Sequence, residues 1–359
     1  DSCKAALHDL EMFHQEIVEA LFNGAHGPVA KRVKNLCAQC DTFLANNRSP
    51  HRAFVYDQVV SFGELLSTSI ICAYLNHVGI AAEWVDARSC IKTDNFYRSA
   101  HLNWEQTQSA IQDQIQGNVL KVTQGFIASD ENNFTTTLGR EGSDYSAAIF
   151  AYCMGAIDVT IWKDVQGVLN ADPRVFDKTQ LLEHISYQEA IELAFYGASV
   201  IHPKTLQPLQ RKEIPLYVKS FLNPKQKGTK VGKGVRMQPE MPCYIVKKGL
   251  SLLRLSTRDF SFVVEDNISD IFKLLHEHKM SVDVIQNSAI SFSVCVEDKY
   301  HNMDALLLSL RSRFDVKHTP DVSLYTIRHF EENSASTLLS THELVLEQRT
   351  ATTLQLVLK

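Results

Sequence analysis

No uninterrupted apolar run in these 359 residues reaches the roughly 18 that a membrane-spanning helix needs, so no transmembrane anchor is expected. The first residues, Asp1-Ser2-Cys3-Lys4, carry no signal-peptide pattern. A net charge of −5 gives no general reason to expect nucleic acid or an anionic membrane as a partner. There are 8 cysteines, but only Cys37 and Cys40 form a C-x-x-C pair, and a zinc site of that type needs a second pair. In its helical context the pair reads as two thiols on a helix, with redox or metal roles as the alternatives. A reducing, cytoplasmic setting fits these absences. Apolar residues at 45% and charged residues at 21% are close to the globular average, and the length suits two or three domains.

The most informative stretch is residues 137–174, TLGREGSDYSAAIFAYCMGAIDVTIWKDVQGVLNADPR. Gly139-Arg140-Glu141-Gly142-Ser143-Asp144 places a cation and two glycines before an apolar helical run. A helix start leaves backbone N–H groups unpaired and partly positive, which suits an anion. Trp162-Lys163-Asp164 follows a β-rich run at 157–161, and a loop with Gly167, Asp172-Pro173 and Arg174 comes next. Ligands of open α/β sheets lie beyond the carboxyl ends of strands, where such turns fall. Taken singly, a glycine-rich helix start is more often structural, and an Arg or Lys near a turn is usually solvated.

Residues 1–50 read as a helical pair, with Leu7, Leu10, Phe13, Ile17 and Leu21 at helical spacing. Ser61-Phe62-Gly63-Glu64 precedes an apolar run at 65–78, which predicts a helix start with Glu64 in its first turn, where a negative charge is favourable. Strands are expected at 82–85 and 119–127, a helix at 107–116 and another at 145–155. Ser186-Tyr187-Gln188-Glu189 has the form of a capping box, and Gly197 ends the helix after it. His202-Pro203 opens another helix, and 214–221 is β-rich. Strands alternating with helices to about residue 222 predict an α/β sandwich. Residues 223–242, rich in Pro, Gly and basic residues, read as a linker whose charges are solvated rather than bound to phosphate. Beyond it come strands at 250–255, 260–265, 281–286 and 290–296, and helical stripes from Ile268 and from Met303. That β-α-β-β-α order is ferredoxin-like. Further strands at 323–329, 342–348 and 352–359, with 243–248, make most of a second such unit.

The 139–174 pattern resembles the aspartate kinase signature, with its Gly-Arg-x-Gly-Ser-Asp-Tyr turn and its Trp-x-Asp-Val-x-Gly-x-x-x-x-Asp-Pro-Arg loop. The second half resembles the paired ACT domains of those enzymes, one module inserted in the other. The resemblance implies an amino-acid-kinase α/β/α sandwich at 1–222, a linker at 223–242, one ACT module at 250–320, and a second from 243–249 plus 321–359. It implies transfer of the γ-phosphoryl group of Mg-ATP to the side chain of L-aspartate, a step toward lysine, threonine and methionine. Arg140 would take a substrate carboxylate through its planar fork, and Glu64 the ammonium. Glu141, Gly142 and Ser143 match the family's substrate turn. Asp144 matches its acidic residue beside the transferred phosphate, with a helix-start charge as the alternative reading. Lys163, Asp164, Leu169, Arg174, Ser199 and Val200 match positions that line the nucleotide. Leu169 stands where many relatives carry Tyr, and Ser199 where they carry Lys.

Ser281, Asp283, Asn287 and Ser288 resemble an effector segment, with lysine or threonine as the amino acid sensed and a homodimer or larger assembly formed through the ACT modules. A strand edge with a turn is the alternative. The family's opening Lys-Phe-Gly-Gly-Thr-Ser motif does not occur here. This leaves two expectations: a segment preceding Asp1 carries it, or the chain is a non-catalytic amino-acid sensor. A kinase for another acceptor is a third reading, which the ACT pair disfavours. No dehydrogenase domain fused after the ACT modules is expected.

Overall fold

The computed structural model describes residues 2–24, 27–198, 200–259 and 261–359. They form two compact units, residues 1–161 with 201–217 and residues 162–200 with 218–359.

In the first unit α1 (Ser2–Phe22) and α2 (Gly27–Asn46) pack on α3 (Arg52–His77). The chain continues through β1 (Ala82–Val85), α4 (Ala87–Cys90), α5 (Trp104–Gln114), β2 (Leu120–Thr123), β3 (Ile127–Ser129), β4 (Thr135–Thr137) and α6 (Gly142–Met154) to β5 (Val159–Lys163). Strand β1 pairs parallel with β2, and β3 pairs antiparallel with β4. Successive strand residues face opposite layers. Ile127 packs with Leu65, Leu66 and Ile70 of α3, while Ala128 packs with Ile111 of α5 and Ile149 of α6. The strands are therefore sandwiched between two helical layers, as the alternating pattern predicts.

Helix α3 corrects the expected start at Ser61: it begins nine residues earlier, and Glu64 lies in its middle. Gly63 is tolerated there because a glycine inside a helix costs only about 1 kcal/mol and buried residues lie on both sides of it, Asp57 and Ser61 before and Leu65 and Leu66 after. By length and composition α3 could cross a membrane, which corrects the expectation of no such segment. Its buried face, however, carries Asp57, Ser61 and Thr68. These polar groups are bonded within the unit, as in the core helix of a globular domain. The predicted strand at 119–127 is broken, because Phe126 adopts a left-handed backbone with φ 70°. Helix α5 starts at Trp104, capped by the Asn103 side chain, rather than at residue 107. Strand β5 runs on through Trp162 and Lys163, which the sequence placed in a turn.

Further on are β6 (His184–Ser186), α7 (Tyr187–Tyr196), α8 (Pro203–Lys212), β7 (Leu216–Ser220) and β8 (Thr229–Gly232). Strand β8 pairs parallel with β6 inside the segment read as a linker. Half of the expected capping box is formed: Ser186 Oγ accepts from Glu189 N at 3.0 Å, while the Glu189 side chain turns to Arg328.

The rest of the second unit is β9 (Cys243–Ser256), α9 (Glu265–Glu277), β10 (Ser281–Asn287), β11 (Ser291–Glu297), α10 (Met303–Arg311), β12 (Asp315–Arg328), α11 (Ser336–Thr341), β13 (Leu344–Arg349) and β14 (Thr353–Leu358). No strand forms at 261–265; Glu265 instead opens α9, and Phe260 lies outside the described residues. The sheet order is β10-β11-β9-β12-β14-β13. Strands β9 and β12 are each 14 residues long and pair along most of their length. One half of each completes a βαββαβ unit with β10 and β11, and the other half joins β13 and β14. Two ferredoxin-like modules thus share their two central strands. Register shifts in β12 between Thr319 and Leu324 mark the join. Gln286 on one edge strand donates to Glu347 O on the other at 3.2 Å, so the sheet curls until its edges meet. Leu252, Val284, Leu324 and Leu346 fill the inside of that curl.

Candidate active site

Helix α3 carries a polar stripe, Asp57, Ser61, Glu64 and Thr68, at the i, i+4, i+7, i+11 spacing of a single helix face. Its ends are fastened. Asp57 accepts from Thr137 N at the end of β4, and Thr68 Oγ1 accepts from Trp84 Nε1 and from Gln124 Nε2. Glu64 lies between these two attachments, so its side chain faces the same layer. It is half-buried, and burial pushes its carboxyl above the ordinary glutamate value. Among the described residues no hydrogen bond or ion pair offsets that burial.

In the same layer β4 runs into the Gly139–Asp144 turn. Leu138 N donates to Phe126 O, and Gly142 N to Gly139 O. Four left-handed residues meet around this turn: Arg98 (φ 69°), Phe126 (φ 70°), Gly139 (φ 78°) and Glu141 (φ 51°). Only at glycine is that conformation free of strain, so the local backbone is held by its neighbours. At Gly125 a Cβ would lie 2.8 Å from Ser143 Cβ, so the start of α6 is pressed against the 125–126 bend. Arg140 is exposed, and among the described residues nothing pairs with its guanidinium. Ser143 and Asp144 lie in the first turn of α6, where amide groups lack intrahelical acceptors.

Helix α8 lies alongside α6 in the same direction. Its last residue, Lys212, donates to Tyr152 O near the end of α6, and at the other end His202 feels the charges of Glu141 and Arg140. Burial lowers the His202 pKa; Glu141 opposes this, and Lys204 and Arg140 add to it. His202 Nδ1 caps α8 by accepting from Lys204 N. Sequence reasoning treated His202 only as part of a helix start and passed over Asp57. The signal for Asp57 was its seven-residue spacing from Glu64, which a helix start at Ser61 concealed.

The first unit thus brings Glu64, Arg140, Glu141, Gly142, Ser143 and Asp144 onto neighbouring elements. The second unit holds the expected nucleotide positions. Lys163 ends β5, and its carbonyl accepts from Phe221 N at 2.9 Å. Asp164 is exposed, and Leu169 bridges to Leu181. Arg174 folds back on Asp172 in a two-pronged pair, 2.7 Å at the closer prong. Val200 is half-buried in a turn, and Ser199 lies outside the described residues.

Of the expected effector residues, Ser281, Asn287 and Ser288 are exposed. Asp283 sits at a register shift of β10, and such irregularities re-aim a side chain. Here the carboxylate turns inward to pair with Lys247, while Oδ2 is buried without a hydrogen bond. Cys37 and Cys40 are buried free thiols, and burial pushes both pKa values up, Cys40 to about 11, away from the nucleophilic thiolate form.

The amino acid kinase family profile matches residues 4–220. Lysine-sensitive aspartokinase 3 of Escherichia coli (strain K12) is 34% identical over 244 residues, covering 67% of this chain and 54% of that protein. Aspartokinase 1, chloroplastic, of Arabidopsis thaliana is 35% identical over 251 residues, 67% of this chain and 43% of that one. The chain therefore spans about half the length of the curated relatives it matches. Among solved structures, E. coli aspartokinase III in complex with lysine and aspartate superposes with a TM-score of 0.79 at 26% identity, covering 98% of this chain and 82% of that one. The same enzyme with aspartate and ADP gives 0.75 at 26% identity, covering 91% and 77%. The fold is thus the expected one, an amino-acid-kinase α/β/α sandwich followed by ACT-type modules, and this chain belongs to the amino acid kinase family.

Proposed function

We propose that the protein is an aspartate kinase, transferring the γ-phosphoryl group of ATP to the side-chain carboxylate of L-aspartate. The observation that carries this reading is a pair of opposite charges in the first unit left without partners among the described residues. Among the described residues the half-buried Glu64 carboxylate has no donor and the Arg140 guanidinium no acceptor. Aspartate offers the complement: an ammonium for Glu64, a carboxylate for the fork of Arg140, and further oxygens for the first-turn amides of α6. Phosphoryl transfer asks a protein mainly for positioning and charge neutralisation. Relatives solved with aspartate, ADP and lysine support the substrate, the nucleotide and an amino-acid effector.

In this reading Glu141, Gly142 and Ser143 complete the substrate turn, and Asp144 lies beside the transferred group. Lys163, Asp164, Leu169, Arg174, Ser199 and Val200 serve the nucleotide. Mg²⁺ would enter on the phosphates; it commonly binds through one or two carboxylates and water, so the lack of a three-ligand cluster among the described residues does not oppose it. Kinase residues end near 222, and the modules occupy 250–320 and 243–249 with 321–359. Lysine or threonine would act through Ser281, Asp283, Asn287 and Ser288, with its ammonium displacing Lys247 from Asp283. The modules would pair across chains, and the enzyme would work in the cytoplasm, early in lysine and threonine synthesis.

The test is aspartate-dependent ADP release by the full protein chain. Arg140→Ala should raise the aspartate KM by about tenfold or more, the worth of one charge-assisted contact. Unchanged aspartate kinetics in that variant would refute the reading.

A further inference from the structure

Asp57 is fully buried, and neither substrate nor nucleotide binding assigns it a role. Its Oδ2 accepts from Arg98 N and from Thr137 N, each at 2.9 Å, and its Oδ1 accepts from the Thr137 hydroxyl at 2.9 Å. The next residue continues the attachment. Gln58 Nε2 donates to Thr135 O at 2.7 Å, and its Oε1 accepts from Thr135 N at 3.1 Å. Two consecutive side chains of α3 thus stand in for a neighbouring strand along β4.

The two backbone points that Asp57 holds flank the turn bearing Arg140. Thr137 ends β4, three residues before Arg140. Arg98, in a left-handed conformation, presses its carbonyl on Gly139; a Cβ there would lie 3.1 Å from Arg98 O and 3.2 Å from Ser99 Oγ. Ala100 N also donates to Thr137 O at 2.9 Å, and the Arg98 guanidinium rests on Tyr56, 4.7 Å from the ring centre. Asp57 is carried by the helix that bears Glu64, two turns away, or about 10 Å along the axis. A single carboxylate therefore ties the Glu64 helix to both sides of the Arg140 turn.

We infer that Asp57 is a positioning residue, fixing the distance between Arg140 and Glu64 and so the size of acidic amino acid held between them. This rests on the aspartate reading of the same site. A displacement of about 1 Å between binding groups costs on the order of a hundredfold in a well-organised site, so loosening this tie should be visible in kinetics. The amide of Asn fits the same place. Its oxygen accepts from both N–H groups, and its NH2 faces the Thr137 oxygen, which accepts in turn.

The experiment compares Asp57→Ala, Asp57→Asn and Thr137→Val with the parent, reading thermal stability, kcat and the KM values for aspartate and ATP. Asp57→Ala should raise the aspartate KM by about ten- to a hundredfold with a much smaller change for ATP. Asp57→Asn should restore most of that loss. Thr137→Val, which keeps shape and removes only the hydroxyl, should raise the aspartate KM by a few-fold and serves if Asp57→Ala does not fold. In an Arg140→Ala background the effect of Asp57→Ala should shrink, since the group being positioned is gone. Equal losses for aspartate and ATP, or a fall in stability with unchanged KM, would reduce Asp57 to a structural fastening and overturn the inference. If Arg140→Ala and Glu64→Gln themselves leave the aspartate KM unchanged, it is the aspartate reading that fails. If those two move it while the Asp57 and Thr137 variants do not, only the positioning role fails.

Discussion

Glu64 in the first unit and Glu189 in the second are both glutamates on helices, withdrawn from water, and their protons are held in opposite senses. Burial raises the Glu64 pKa, and among the described residues nothing opposes it. Burial is the largest single influence on Glu189, but Arg328, with hydrogen bonds of 3.2 and 2.7 Å, and His329, with a contact at 2.9 Å, together outweigh it. The net result is a lowered pKa. Arg328 is itself nearly buried, bonded to Thr353 Oγ1 and set 3.6 Å from Glu192. One glutamate has its counter-charge built into the fold; for the other, the proposed function supplies one in a ligand. Burying a charge without a partner is costly, and with no partner for Glu64 among the described residues this contrast is the ground for proposing Glu64 as a binding group and Glu189 as a fastening.

The largest effect should come from breaking the compensated pair. Arg328→Ala leaves Glu189 buried without its main partner and should lower the unfolding free energy by about 3–5 kcal/mol in denaturant melts. Replacing both residues with apolar ones of similar volume should recover most of that loss, because an ion pair is weak support for stability once neither charge remains.

Glu64→Gln should behave in the opposite way. Stability should hold or rise, since the charge removed is half-buried with no partner among the described residues, while the aspartate KM rises by about ten- to a hundredfold. A large fall in melting temperature with normal aspartate binding would erase the contrast between the two glutamates.

The pH dependences should also diverge. Glu189 has a lowered folded pKa, so its stabilisation is complete above the ordinary glutamate range and is lost as pH falls through that lowered value. Glu64 has a raised folded pKa, so its proton disfavours nothing in folding at low pH, and ionisation costs stability as pH rises through that value. Ammonium binding at Glu64 needs the ionised form. The aspartate KM should therefore climb as pH falls through the raised pKa, at higher pH than an ordinary glutamate would cause, and Glu64→Gln should abolish that limb of the profile.

The smallest effect is expected at Arg174. Its side chain is 83% exposed and paired with Asp172 on the surface, so Arg174→Ala should leave thermal stability unchanged while weakening the ATP KM a few-fold if it serves the nucleotide.

The sites differ in how far they could be read from residue order. The Arg140 turn was legible because its elements are local: two glycines, one of them at positive φ, a cation and a helix start lie within six residues. Most strands of the second unit were legible for the same reason, through alternating runs such as 290–296. Glu64 was found, but its setting was misplaced, since Ser61, Gly63 and Glu64 mimic a helix start and only the burial of residues on both sides keeps α3 continuous. Strand β8 was hidden in a stretch of glycines and prolines because its pairing with β6 bridges more than forty residues. Glu189 gave a local signal, the capping box, and the structure used half of it; the other half was taken by an arginine 139 positions away.

Amino-acid order alone marked most of the helices and many of the strands, and it placed a guanidinium and a helix start at one turn, because short-range sterics and periodicity act between near neighbours. Tertiary structure decided which carboxylates are answered and which are left open. That depends on what burial brings beside them: Thr137 and Arg98 beside Asp57, Arg328 beside Glu189, Lys247 beside Asp283, and no described donor beside Glu64. The energy of a charge is set by its surroundings, and those are assembled from residues far apart in the chain.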